Sequence, residues 1–245
     1  MEKKIIRLKE VDSTNRFLKE LSSYDETALT IAVADFQTAG RGQGTHTWES
    51  EEGKNLLFSL LIRPTMVEAA EQFVLSMAGA LALRDVIVEA TGATDISLKW
   101  PNDVYWRDYK VSGTLIETSV SGKRVKRCIF GTGINVNQRR FLSDAPNPLS
   151  LCAITGAELS VEALLRSVVE HFKHYYRLVA GHDYGRIASA YRAALYRRTG
   201  RHRYADKDGE FTATISDVGL DGTLTLSLDD GRLRRYAFKE VKFII

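Results

Sequence analysis

The segment Lys99–Glu117, KWPNDVYWRDYKVSGTLIE, sets two lysines and an aspartate around a proline turn and follows them with a glycine-bearing strand. Pro101 fixes its own φ and steers Trp100 toward extended backbone. Lys99 is therefore expected to end one strand, Asn102 and Asp103 to occupy the turn, and Lys110 to begin the next strand. Such a cluster suits phosphate chemistry. Asp103 can hold a magnesium ion, which takes one or two protein carboxylates beside phosphate oxygens, and Lys99 and Lys110 can neutralise phosphate or carboxylate charge. Gly113 lets a ligand lie against the backbone. Taken alone, the same residues also describe a β-hairpin with solvated charges.

Upstream, a short strand at Ile5 to Leu8 leads into Asp12-Ser13-Thr14, which can cap a helix running through Phe17, Leu18 and Leu21. Leu29 to Phe36 and Leu56 to Ile62 read as buried strands. Between them lies QTAGRGQGTHTWESEE (37–52), polar, glycine-rich and long enough to be a functional loop. Thr65 and Glu68 form a capping box expected to open a long helix, with Phe73, Val74, Met77 and Leu81 on one core-facing side and Gly92 beyond its end.

Downstream, strands are expected near Ile96 to Lys99, Val104 to Trp106, Lys110 to Val120 and Arg127 to Asn135, then helices over Val161 to Val179 and Tyr184 to Arg197. From Gly200 the pattern changes to short strands separated by Asp208-Gly209, Asp221-Gly222 and Asp230-Gly231, the signature of a small antiparallel barrel. The chain is thus expected to be α/β (α+β), a mixed sheet flanked by helices over residues 1–198 and a small β domain over 199–245, the boundary lying between Arg192 and Arg203.

With 245 residues, 44% of them hydrophobic and 27% charged, the chain can bury a substantial core and is not disordered. The net charge of +3 is too small to imply a polyanionic partner, so partners have to be read from local sites. Cys128 sits in an apolar strand pattern typical of a buried free thiol, which points to a reduced, cytoplasmic setting. Neither a signal peptide nor a run of roughly 20 apolar residues is present, so no membrane association is expected. The few residues before Asp12 leave no room for a helix-turn-helix, and no DNA partner is expected.

Gly40-Arg41-Gly42-Gln43-Gly44 can wrap backbone amides around an anion while Arg41 offers a planar fork, although for the loop taken alone a surface turn is the better reading. It is neither a Walker A loop nor a dinucleotide fingerprint. Gly131-Thr-Gly-Ile-Asn135 ends a strand and lacks the third glycine of a Rossmann motif; close backbone packing and a ligand contact by Asn135 both fit it. His171 and His174 lack a third metal ligand and belong on a solvated helix face, while His46 falls in the glycine-rich loop. No Gly-x-Ser-x-Gly elbow or Cys-His pairing indicates a protein nucleophile. The arginines from Arg192 to Arg203 fit an exposed helix end better than a nucleic-acid surface.

In chain order, Asp12-Ser-Thr-Asn15, Gln37-Thr-Ala-Gly-Arg-Gly42, Trp48-Glu-Ser50, Lys99-Trp-Pro-Asn-Asp103, Lys110-Val-Ser-Gly113 with Glu117, and Gly131-Thr-Gly-Ile-Asn135 resemble the biotin protein ligase family. The resemblance spans most of the chain and is similar to the subgroup without an N-terminal DNA-binding domain. It implies a catalytic domain like that of class II aminoacyl-tRNA synthetases, an SH3-like barrel after it, ATP and Mg2+ as cofactors, a biotin carboxyl carrier domain as acceptor, and room for a homodimer. It also implies two steps: biotin and ATP give biotinyl-5′-adenylate and pyrophosphate, and a carrier lysine then takes the biotinyl group and releases AMP.

By the same resemblance Arg41, Lys99 and Lys110 are the catalytic cations. Ser13, Thr14, Asn15, Gln37, Arg41, Gly42, Gln43, Lys110 and Gly113 bind biotin; Arg41, Trp48, Lys99, Asn102 and Asn135 bind ATP; Asp103 binds the metal. Many relatives carry a second arginine where this chain has Gln43, which bears on how the loop retains adenylate. The competing expectations are a lipoate-type acyl ligase and a module that binds biotinyl-adenylate without transferring it.

Overall fold

The computed structural model describes residues 2–21, 29–44, 46–143 and 147–245. A seven-stranded sheet is built from β1 (Lys3–Val11), β2 (Leu29–Gln37), β3 (Leu56–Ile62), β4 (Ile96–Lys99), β5 (Asp103–Trp106), β6 (Tyr109–Ser121) and β7 (Arg124–Ile134). Its order is β1-β2-β3-β7-β6-β5-β4, parallel only between β1 and β2. β3 lies inside the sheet between β2 and β7 and is buried throughout, which explains its apolar run, interrupted only by Ser59.

Helices α2 (Phe73–Thr91), α4 (Val161–Ala180) and α5 (Tyr184–Ala193) bury one face of this sheet, and the short α3 (Leu151–Thr155) joins the same core. α1 (Thr14–Glu20) covers part of the other face, where Leu18 packs on Ala32, Leu61 and Ile129. The mixed, helix-flanked architecture is the one expected from sequence. α2 differs in two respects. It is apolar on nearly all sides and buried accordingly, and it begins at Phe73 rather than at Thr65. Residues 65–68 are drawn instead into backbone pairing with the β6–β7 turn, through Ala69 N to Lys123 O at 2.9 Å and Val125 N to Val67 O at 3.0 Å.

The remaining strands, β8 (His202–Asp206), β9 (Gly209–Val218), β10 (Leu224–Leu228), β11 (Leu233–Tyr236) and β12 (Lys242–Phe243), form an antiparallel sheet of order β11-β10-β9-β8-β12. The three Asp-Gly pairs occupy its turns; the stretch Leu233 to Ile245, which reads from sequence as one last strand, is split into β11 and β12 by a turn at 237–240. This sheet shares one core with the first: Trp100 Nε1 donates to Gly222 O at 3.0 Å, and Phe73 N to Leu220 O at 3.1 Å.

Candidate active site

Strand alternation gives the large sheet two chemically different faces. Phe58, Leu60 and Phe130 point into the helix-side core, so Ser59, Gly131 and Gly133 face the opposite side. Register brings Ser59 opposite Gly131, and Gly133 opposite Gly113. Those glycines form a floor on which side chains from elsewhere lie flat. A Cβ on Gly131 would collide with the Asn15 carboxamide and one on Gly133 with the Trp48 indole; one on Gly113 would press on Lys110 and Trp48 at 3.0 and 3.1 Å.

α1 brings a polar strip to this floor. Ser13 is its N-cap but makes no side-chain capping bond; Gln37 Oε1, from the end of β2, instead accepts from Thr14 N at 2.8 Å and Thr14 Oγ1 at 3.1 Å. The cap expected of Asp12-Ser13-Thr14 is thus supplied from a distant strand, and Ser13 keeps its hydroxyl for the cavity it lines. Ser59 Oγ lies 2.7 Å from Thr14 Oγ1 and 2.6 Å from Asn15 Oδ1. Ser13, Thr14, Asn15 and Ser59 are all buried, so this strip is organised away from bulk water.

Charge enters from two sides. Arg41 Nη2 reaches Glu117 Oε2 at 3.4 Å, and the same oxygen accepts from Asn15 Nδ2 at 2.9 Å. Lys110 Nζ pairs with Asp103 Oδ1 at 2.8 Å and lies 5.8 Å from the Trp48 ring centre. The Trp48 indole N–H is buried without a partner among the described residues. Trp48 itself is anchored by its neighbours: Glu49 accepts from Leu142 N at 2.9 Å and Ser143 N at 2.7 Å, and Ser50 Oγ accepts from Asn55 Nδ2 at 3.0 Å. Asn102, buried at the cavity edge, donates to the Thr114 carbonyl.

One cavity therefore gathers Ser13, Thr14, Asn15, Gln37, Arg41, Gly42, Gln43, Trp48, Asn102, Asp103, Lys110 and Gly113, all anticipated from sequence. Two anticipated residues are elsewhere. Lys99 shares the cavity-side face with its cross-strand partner Asp103 but does not line the cavity; its Nζ lies 5.2 Å from both the Tyr105 and Phe243 ring centres, toward the C-terminal sheet. Burial pushes its ammonium below the ordinary lysine value, with the Asp103 carboxylate acting in the opposite sense. Asn135 is buried and spends its amide on Leu149 O at 3.3 Å, outside the cavity lining.

Asp103 belongs to strand β5, paired with Lys99 across the turn, rather than to the turn itself. The Gly40–Gly44 loop closes a small hairpin, in which Gly42 N bonds His46 O at 2.7 Å and Trp48 N bonds Gly40 O at 2.9 Å, so the Gly42 amide is already committed. His46 is exposed and does not line the cavity; Thr45 lies outside the described residues. Ser59 and Glu117 were absent from the expected ligand set. Their signals were present: a lone hydroxyl inside LLFSLLI, and a carboxylate in step with Gly113 and Leu115 along one strand face.

Residues 8–135 match the model of the biotin/lipoate A/B protein ligase family. The bifunctional ligase/repressor BirA of Bacillus spizizenii is 30% identical over 93% of this chain and 70% of its own length. The biotin–acetyl-CoA-carboxylase ligase of Paracoccus denitrificans is 31% identical over 78% of this chain and 80% of its own. The structure of the Aquifex aeolicus biotin protein ligase in complex with biotin and ATP superposes with a TM-score of 0.81 at 28% identity, covering 98% of this chain and 99% of that one. The fold and the cavity define a ligase-type catalytic domain. The chain belongs to the biotin/lipoate A/B protein ligase family and is an enzyme of that class.

Proposed function

We propose that this chain joins biotin to a lysine of a biotin carboxyl carrier domain through biotinyl-5′-adenylate. The observation that carries the reading is a polar strip, Ser13, Thr14, Asn15 and Ser59 all buried with Gln37 bonded to Thr14, beside a cavity that Arg41 and Lys110 also line. A ureido ring has two N–H donors and a carbonyl to pair with such a strip. A ligand without them forgoes those bonds, at roughly 0.5–1.5 kcal/mol each.

In the first step the biotin carboxylate oxygen attacks the α-phosphorus of ATP; the new O–P bond forms as the bond to pyrophosphate breaks. Two anions must approach, so the rate depends on cations held in place beforehand. Lys110 and Arg41 fill that role, and each already sits against a carboxylate, Asp103 or Glu117. Binding substrate then exchanges one anionic partner for another instead of burying an unpaired charge. In the second step the carrier lysine amine attacks the acyl carbon and AMP leaves with the electron pair of the broken C–O bond. Trp48, lying on the glycine floor, covers the mixed anhydride against water.

Asp103 fits a magnesium ion held mostly by phosphate: it lines the cavity, and Lys110 takes only its Oδ1. Such an ion supplies charge neutralisation at the phosphates. We read residues 1–198 as the catalytic domain and 199–245 as an SH3-like domain packed against it. The two free cysteines, both buried, agree with a cytoplasmic setting, and no described helix is long and apolar enough to cross a membrane.

Biotin-dependent exchange of labelled pyrophosphate into ATP, beside lipoate and a no-ligand control, tests the reading. Exchange with biotin alone, followed by labelling of a carrier domain, is expected. Exchange with lipoate instead would reassign the substrate, and exchange without transfer to any carrier would reduce the chain to an adenylate-holding module.

A further inference from the structure

We propose that Lys239, carried by the C-terminal sheet, is a further anion-binding side chain of this site and holds the pyrophosphate end of the nucleotide; the proposal rests on the ligase reading above. Lys239 is the third residue of the turn 237–240, which is closed by Glu240 N to Ala237 O at 3.2 Å and by Ala237 N to Glu240 Oε2 at 2.7 Å. Its φ of 72° lies in the left-handed region, where this turn position ordinarily takes glycine. A long side chain held there despite its Cβ calls for a functional reason.

The side chain crosses from the small sheet to the glycine-rich loop. Its Nζ lies 3.1 Å from where a Cβ on Gly44 would stand, which puts the ammonium against the glycine-rich loop. Gln43, Gly44, Asn102, Leu115 and Lys239 line a cleft between the sheets, and Gln43, Asn102 and Leu115 also line the active-site cavity, which makes the two continuous. Within that continuous space Arg41 and Lys110 are each paired to a carboxylate. Lys239 has no carboxylate partner among the described residues; besides Gly44, its Nζ has the Phe238 ring 5.9 Å away. The acidic residue of the cleft, Asp221, is folded back on Thr223 N at 2.9 Å and Thr223 Oγ1 at 2.8 Å. An uncompensated ammonium beside the neutral Gln43 thus supplies from the second sheet the charge that the loop lacks at that position.

The test is Lys239→Gly, which removes the cation and relieves the left-handed turn at once. Its melting temperature is expected to equal or exceed that of the parent chain. In pyrophosphate exchange its KM values for MgATP and for pyrophosphate are expected to rise about tenfold while the KM for biotin stays within about twofold. Adding Gln43→Arg to Lys239→Gly is expected to restore both constants, a rescue that a merely structural lysine would not show. Unchanged nucleotide and pyrophosphate constants overturn the proposal, as does a change confined to the acceptor, which would make Lys239 a contact for an acidic partner segment. If the parent chain performs no biotin-dependent exchange, the ligase reading fails by itself. Calorimetric titration with inorganic pyrophosphate then decides the anion site: weaker binding to Lys239→Gly supports it and equal binding overturns it.

Discussion

The two faces of the large sheet are made by the same strands and do opposite work. On the helix side β3 and β7 present Phe58, Leu60 and Phe130 to a dry core; on the other side the same strands present Ser59, Gly131 and Gly133 to a polar cavity. The first face is specified by volume, since any gap there forfeits packing. The second is specified by the absence of volume, because its glycines let Asn15 and Trp48 approach the backbone. A strand residue's contribution to stability or to chemistry is thus set by its parity.

Removing Phe130 tests the packed face most severely. Phe130→Ala should cost about 3–5 kcal/mol in denaturant unfolding while leaving the KM for biotin of the folded fraction nearly unchanged. Lys110→Ala should do the reverse, lowering biotin-dependent exchange on the order of 10²–10³-fold with a parent-like circular dichroism spectrum. Gly131→Ala displaces the Asn15 carboxamide, and a misplacement of that size is expected to reduce kcat/KM for biotin about 10²-fold. Parent-like biotin kinetics in that variant would break the contrast between the faces. Ser59→Ala removes a hydroxyl from between Thr14 and Asn15 and should cost roughly 1–3 kcal/mol, divided between stability and biotin affinity.

Lys99 sharpens the comparison with the smallest effect. Its folded pKa is pushed down by burial, so the unfolded chain holds that proton more tightly and stability rises with pH in the window between the lowered value and the ordinary lysine value. Relative to Lys99→Met, the parent chain should therefore gain stability as pH rises toward the ordinary lysine value of about 10.4, measured by urea midpoints. Exchange activity in the same variant separates packing from phosphate neutralisation: the structure puts Lys99 between two aromatic rings and expects activity to survive.

Motif order already identified most of the cavity, because Asn15, Arg41, Trp48, Asp103 and Lys110 lie in short segments with recognisable turn, loop or strand chemistry. The places where reading by segment failed share one cause. Thr65 to Glu68 has the form of a helix start, yet its backbone pairs with residues 123–125. Asp12 to Thr14 has the form of a cap, yet Gln37 does the capping. Lys99 sits in the most diagnostic segment of the chain, yet its side chain packs on Phe243 near the far terminus.

Periodicity, turn residues and the order of six motifs are local properties, and by themselves they determined the mixed α/β sheet, the separate run of short C-terminal strands and the family resemblance. Tertiary structure alone decided which partner each polar group takes: Gln37 for Thr14, Glu117 for Arg41, Asp103 for Lys110, and the placing of Lys239 beside Gly44. Those pairings depend on strand register and on how the two sheets dock, and both are fixed by burying apolar area summed over the whole chain rather than by the few residues that end up touching.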